Sequence, residues 1–159
     1  MKVEILMGSP RDADKMAGAS EILERFGVAY EVHVMSAHRT PAQVTELATN
    51  ARANGVGAII CGAGMAAHLA GAVSAHTTLP VIGVPLSGGV GGGIDSLLST
   101  VQMPRGIPVA TVAVDGSANA AVLAVEILSV SNSELADQLA KFRDEGARCL
   151  PKKPGSQMS

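Results

Sequence analysis

The strongest chemical signal in the chain is a histidine beside an arginine, inside Ser36-Ala37-His38-Arg39-Thr40-Pro41. A neutral imidazole takes up a proton near neutral pH and returns it, which suits general acid–base work. A guanidinium next to it can grip phosphate or carboxylate through paired donors. The competing reading is local: His38 closes a turn and Arg39 pairs with an acid.

Three further segments carry polar groups where a ligand could use them. Gly8-Ser9-Pro10-Arg11-Asp12 offers a hydroxyl, a cation and the positive end of a following helix, a combination that can cradle phosphate. It matches neither the Gly-x-Gly-x-x-Gly fingerprint nor a Gly-x-x-x-x-Gly-Lys loop, and Asp12 could simply cap the helix. Gly62-Ala63-Gly64 has side chains small enough for a ligand to lie on the backbone, and His68 follows one turn into the next expected helix. His68 could face a pocket or a subunit contact. Gly88-Gly89-Val90-Gly91-Gly92-Gly93 reads as a flap or a place of close backbone approach.

Other candidates are weaker. Arg105, in the stiff turn Gln102–Pro108, could reach a phosphate or a neighbouring subunit. His33, inside a strand, and His76, near a helix end, read as structural. No His-x-x-x-His pair occurs, no carboxylate cluster accompanies the histidines, and Cys61 and Cys149 have no zinc spacing, so no metal is expected. A Gly-x-Ser-x-Gly nucleophile elbow is also missing.

The elements that must hold these segments alternate. Strands are expected at residues 2–7, 29–35, 57–61, 80–84 and 109–114. Helices are expected from Asp12 or Asp14 to Gly27, from Pro41 to about Ala53, and over 65–76, 94–101, 117–131 and 133–145. Thr40 is a candidate cap for the second helix and Ser133-Glu134 starts the last. Alternation of this kind predicts one α/β domain with a parallel sheet. Right-handed crossovers then bring every loop after a strand to one edge, where ligands bind near a reversal of strand order. The informative loops at 8–12, 36–40, 62–65 and 85–93 all follow strands. The domain is expected to span residues 1–148, with 149–159 a flexible tail.

Composition narrows the function. The 159 residues carry 12 Lys+Arg against 14 Asp+Glu, for a net charge of -2. That balance gives no electrostatic hold on nucleic acid, and Phe26, Tyr30 and Phe142 are too few for a base-stacking platform. No apolar run approaches the roughly 20 residues of a membrane span. Two cysteines do not make a disulfide scaffold, so a reducing, cytoplasmic setting is expected. Only 16% of residues are charged, which implies that part of the alanine-rich surface is covered by other subunits.

Taken together, Met7-Gly8-Ser9, Asp12, Ser36–Pro41, Gly62-Ala63-Gly64 with Ala66-Ala67-His68-Leu69, and Asp95-Ser96-Leu97 with Gln102–Pro108 resemble the class I N5-carboxyaminoimidazole ribonucleotide mutases of purine biosynthesis. These are also described as the catalytic subunit of phosphoribosylaminoimidazole carboxylase. The likeness runs in order over about residues 3–145. A class II relative that uses free carbon dioxide usually has Lys where this chain has Arg39.

The resemblance implies a flavodoxin-like three-layer α/β/α sandwich with an added C-terminal helix, assembled as a homo-octamer. It implies conversion of the N5-carboxyamino ribonucleotide to the C4-carboxylate, without ATP, biotin, metal or any other cofactor. On that likeness His38 is the catalytic residue. Ser9, Asp12, Ser36, Arg39, Gly62, Ala63, Gly64 and His68 bind substrate. By charge and position alone, Arg11 and Arg105 could contact phosphate or a neighbouring subunit, and Arg11 could equally point outward. The alternatives are a class II carboxylase and a catalytically silent nucleotide-binding assembly module. Arg11, Ala70 and the glycine-rich 88–93 loop depart from the usual family pattern.

Overall fold

A computed structural model describes residues 1–149. Five parallel strands alternate with helices: β1 Lys2–Met7, α1 Ala13–Arg25, β2 Tyr30–Val34, α2 Pro41–Asn50, β3 Val56–Gly64, α3 Leu69–Ser74, β4 Val81–Leu86, α4 Ile94–Val101, β5 Ala110–Thr111, α5 Ser117–Ser129 and α6 Ser133–Asp144. The strand order is β2-β1-β3-β4-β5, the order of doubly wound flavodoxin-like sheets. The order reverses between β1 and β3. The chain leaves β1 toward one face of the sheet and β3 toward the other, so a crevice opens between their carboxyl ends.

Alternation along the central strands sorts the side chains into two cores. Val3, Ile5 and Met7 of β1 point one way with Ile60, Ile82 and Val84, and meet α1, α5 and α6. Leu6 points the other way with Ile59, Cys61 and Val81, and meets α2 and α3. Apart from Glu4 in β1, the central strands are apolar on both faces because both are covered. α6 closes the first layer through Phe142, whose ring packs edge-on to Phe26 at 5.5 Å with the Arg25 guanidinium 4.8 Å above it.

Several expected boundaries move. β3 runs on through Gly64 and β4 through Leu86, because small and apolar residues there keep pairing with one another. α3 is correspondingly short: it begins at Leu69, so His68 stands at its N-cap rather than one turn inside. α2 stops at Asn50, and β5 keeps only Ala110–Thr111 in register with β4. The helix starts fall as expected, with Asp12 at the N-cap of α1 and α6 beginning at Ser133, but the side chains that cap are others. Asp12 makes no side-chain capping bond; Ser9 Oγ caps the 3-10 turn Pro10–Asp12 that leads into α1, and Asn132 Oδ1 caps α6 by accepting from the Leu135 amide. Cys149, placed in a tail by the sequence, is half-buried against the first core. The remainder of that expected tail, residues 150–159, lies outside the described residues.

Candidate active site

A cavity of about 640 Å³ lies at the carboxyl ends of β1 and β3, where the strand order reverses. That volume suits a mononucleotide-sized ligand. Its walls come from the loops after β1, β2, β3 and β4.

The loop after β2 is wound tightly by its own side chains. The Thr40 amide donates to the Ser36 carbonyl at 2.8 Å, and Thr40 Oγ1 accepts from the Ser36 amide at 2.9 Å. Ser36 Oγ accepts from the Arg39 amide at 3.3 Å. Thr40 therefore stands at the N-cap of α2, as expected, while its hydroxyl shapes the turn and makes no capping bond. This winding leaves His38 and Arg39 exposed at the turn's apex, on the cavity wall. Arg39 Nη2 donates to the Gly8 carbonyl at 2.6 Å, which ties this loop to the one after β1.

From the loop after β3 comes the second histidine. Gly64 closes a turn with Ala67 (N to O, 3.0 Å) and carries Met65 at φ 52, a left-handed conformation that non-glycine residues rarely take. The turn swings His68 back toward His38. The two rings stack, centroids 5.3 Å apart and planes within 10° of parallel.

In the loop after β1, Ser9 Oγ accepts from the Arg11 amide at 3.3 Å, which leaves the hydroxyl hydrogen for another acceptor. Ser9, Arg11 and Asp12 all line the cavity. The fourth wall is Ser87-Gly88-Gly89. Gly89 must be glycine, since a Cβ there would lie 2.0 Å from Asp95 Oδ2. That carboxylate is already committed: Oδ2 accepts from the Val90 amide at 2.9 Å and Oδ1 from the Ser96 amide at 2.8 Å.

Most sequence candidates thus meet in one place: Ser9, Arg11, Asp12, Ser36, His38, Arg39, Ala63, Gly64 and His68. Two do not. Gly62 is buried inside β3 and lines α1 rather than the cavity, since a Cβ there would meet Met16 Sδ at 2.3 Å. Arg105 is exposed and away from the cavity wall. Sequence reasoning did not select Met65, Ser87, Gly88 or Gly89 as site residues, although its flap included the two glycines. Met65 carries no chemical signal in the sequence, and it lies exposed in a turn at positive φ.

The remaining titratable groups lie elsewhere. Among the described residues Glu4, Glu31 and His33 do form a carboxylate–histidine cluster, contrary to the sequence expectation. It is assembled across the β1–β2 pairing, so no linear spacing reveals it. Glu4 is buried and its carboxylate is matched by Lys2 Nζ at 2.8 Å and His33 Nε2 at 2.7 Å. His33 is therefore structural, as expected. Burial pushes the Cys61 thiol far above its usual range, which makes it unreactive. A smaller hollow of about 210 Å³ between α1 and α6 is bridged by the Arg25–Glu145 ion pair at 3.0 Å.

The family model for AIR carboxylase matches residues 2–148. The N5-carboxyaminoimidazole ribonucleotide mutase of Pyrococcus abyssi is 52% identical over 147 residues, covering 92% of this chain and 84% of that protein. The mutase of Saccharolobus solfataricus is 52% identical over 144 residues, covering 91% of each. The crystal structure of Treponema denticola PurE superposes with a TM-score of 0.83 at 30% identity, covering 91% of this chain and 90% of that one.

Proposed function

The chain belongs to the AIR carboxylase family, and from that premise we propose that the cavity between β1 and β3 is where it carries out the reaction of the mutases it resembles. It is an N5-carboxyaminoimidazole ribonucleotide mutase, moving a carboxyl group from nitrogen to C4 of the aminoimidazole ring. The observation that carries the site assignment is the stacked His38–His68 pair in a cavity that Arg39, Ser9 and Asp12 also line.

The chemistry proceeds by parts that the cavity supplies. Arg39 and Arg11 give positive charge for the ribose phosphate, and Asp12 engages ribose hydroxyls. His38 in its cationic form gives a proton to the carbamate nitrogen as the carbon–nitrogen bond breaks and carbon dioxide departs. The freed ring is an enamine-like nucleophile at C4. It attacks the retained carbon dioxide and forms the new carbon–carbon bond. Neutral His38 then removes the C4 proton and returns to its starting form, so the cycle has no net proton demand. Retention of carbon dioxide keeps the transfer intramolecular, which favours recapture over escape.

The partner is a small ribonucleotide, and the protein works as a homo-oligomer, an octamer. Support for assembly comes from α4, where Ile94, Leu98 and Val101 form an apolar stripe at helical spacing, 54%, 53% and 47% exposed. Among the described residues no helix is long and apolar enough to cross a membrane, and we assign the reaction to the cytoplasm.

The test supplies purified N5-carboxyaminoimidazole ribonucleotide labelled with carbon-13 in its carboxyl group, without ATP, and locates the label by NMR. Label at the C4 carboxylate is the expected result. Product formed only when aminoimidazole ribonucleotide and bicarbonate are supplied would instead identify a class II carboxylase. Tight nucleotide binding with no interconversion would identify a silent module.

A further inference from the structure

We propose that Lys15, which does not touch the cavity, is a positioning residue for carboxyl transfer: it holds the Ser87–Gly89 wall closed so that carbon dioxide is not lost. The inference rests on the mutase reading above.

Lys15 lies in the first turn of α1, half-buried, and is fixed at both ends. Its main-chain carbonyl accepts from Ser117 Oγ at 2.7 Å, which binds it to the start of α5. Its ammonium donates to the Ser87 carbonyl at 2.5 Å and to Ser87 Oγ at 2.9 Å. On the other side of the same residue, the Ser87 amide donates to Asp115 Oδ1 at 2.9 Å. Asp115 is itself anchored, its amide donating to the Pro85 carbonyl at 2.8 Å. Ser87 is thus held between a cation on its acceptors and an anion on its donor. Bonds of this kind are charge-assisted and stronger than neutral ones.

Such a clamp matters here because the segment it roots has almost no side chains of its own. The two residues that follow, Gly88 and Gly89, have no side chains with which to pack, and Gly88 adopts φ 113. Next comes Val90, whose amide is held by Asp95. The wall therefore hangs between two polar pins, Lys15 with Asp115 at its root and Asp95 at its far end. A glycine segment freed at one pin explores many more conformations, and the pinned one ceases to dominate. A gap in that wall opens the cavity at the loop after β4. Binding of the phosphate, at the loops after β1 and β2, would be little affected.

The experiment compares the full-length wild type with Lys15→Met, Lys15→Gln and Lys15→Arg. Each receives carboxyl-labelled N5-carboxyaminoimidazole ribonucleotide in a buffer equilibrated with unlabelled carbon dioxide. Two quantities are read: label retained in the C4 product, and aminoimidazole ribonucleotide released per product formed. Lys15→Met and Lys15→Gln should release about tenfold more aminoimidazole ribonucleotide per product than wild type, the scale of losing a hydrogen bond to a charged group. Their product should show diluted label, with KM nearly unchanged. Lys15→Arg, which keeps the cation, should restore retention.

Label retention equal to wild type in folded Lys15→Met or Lys15→Gln overturns the proposal and leaves the mutase reading intact. Loss of fold in both variants also overturns it, because Lys15 is then a residue of the fold. A wild type that makes no C4 product overturns the mutase reading and this inference with it.

Discussion

The His38 and His68 rings lie stacked at 5.3 Å, nearly parallel, although they come from loops after different strands. A flat neighbour limits how one ring can turn, so His68 fixes the plane in which His38 presents its nitrogens. His38→Asn should keep nucleotide binding and lose turnover by about 10²- to 10⁴-fold, the usual scale for a missing acid–base group. His68→Ala should lower kcat by about two- to tenfold through loss of the ring contact alone. His68→Phe, which keeps a flat face, should recover most of that loss. Steady-state kinetics with a binding titration separates the three, and unchanged turnover in His38→Asn would remove His38 from the chemistry.

Arg39 has two duties in one side chain. It ties the loop after β2 to the Gly8 carbonyl at 2.6 Å, and it presents positive charge to the cavity. Arg39→Met should raise KM by about tenfold or more, as expected for a hydrogen bond to a charged group, with a smaller fall in kcat. Inhibition by nucleotide should weaken in parallel, while inhibition by a nucleoside lacking phosphate should change little. Equal effects on both inhibitors would assign Arg39 to shaping the loop rather than holding phosphate.

Gly89 and Asp95 make a pair in which space, not chemistry, is decisive. A Cβ on Gly89 would come within 2.0 Å of Asp95 Oδ2, and that carboxylate cannot move without releasing the Val90 and Ser96 amides. Gly89→Ala should destabilise the fold by about 1–3 kcal/mol, the range for overpacking. Adding Asp95→Ala should not cost its full separate amount, because the clash has already displaced the carboxylate. Urea denaturation of the two single variants and the double variant measures the coupling, and simple additivity would refute the contact.

The layer architecture was legible because strands and helices alternate in an apolar, turn-punctuated sequence. The gathering of the candidate residues at one cavity was legible because they sit in loops that follow strands, and a parallel sheet gathers such loops at one edge. What escaped was whatever depends on contacts between distant segments. Gly62 reads as a loop glycine, yet it is buried in β3 where α1 comes close. The Glu4–Glu31–His33 cluster exists only once β1 and β2 pair. The Lys15 clamp joins residues 72 positions apart and shows no pattern in either segment.

Asp115 supplies a pH-dependent contribution whose sign follows from its surroundings. Burial alone would raise its carboxyl. Hydrogen bonds from Ser87 and the nearby Lys15 charge outweigh that and hold it below the ordinary range. A depressed carboxyl stabilises the fold fully above its unfolded value of about 3.9, and that contribution is lost as pH falls through the lower folded value. Wild type should therefore be more stable than Asp115→Asn at neutral pH, with the difference shrinking as pH falls from 5 toward about 2. Urea midpoints across that series check it. A difference that grows on acidification would mean the carboxylate is not held by its neighbours.

The outer stripe of α4 bears on assembly. Ile94, Leu98 and Val101 stand about half exposed along one helix face, while Ser96 and Thr100 of the same helix are buried. Solvation alone would not keep three branched apolar side chains in register on an outer face. Their burial by another copy offers about 25 cal/mol for each Å² removed from water. Leu98→Glu places a charge at the centre of the stripe and leaves the chain's own core untouched, so the monomer fold should survive. Light scattering should then show species smaller than the wild-type assembly, with circular dichroism unchanged. An unaltered assembly would locate the subunit contact on a different surface.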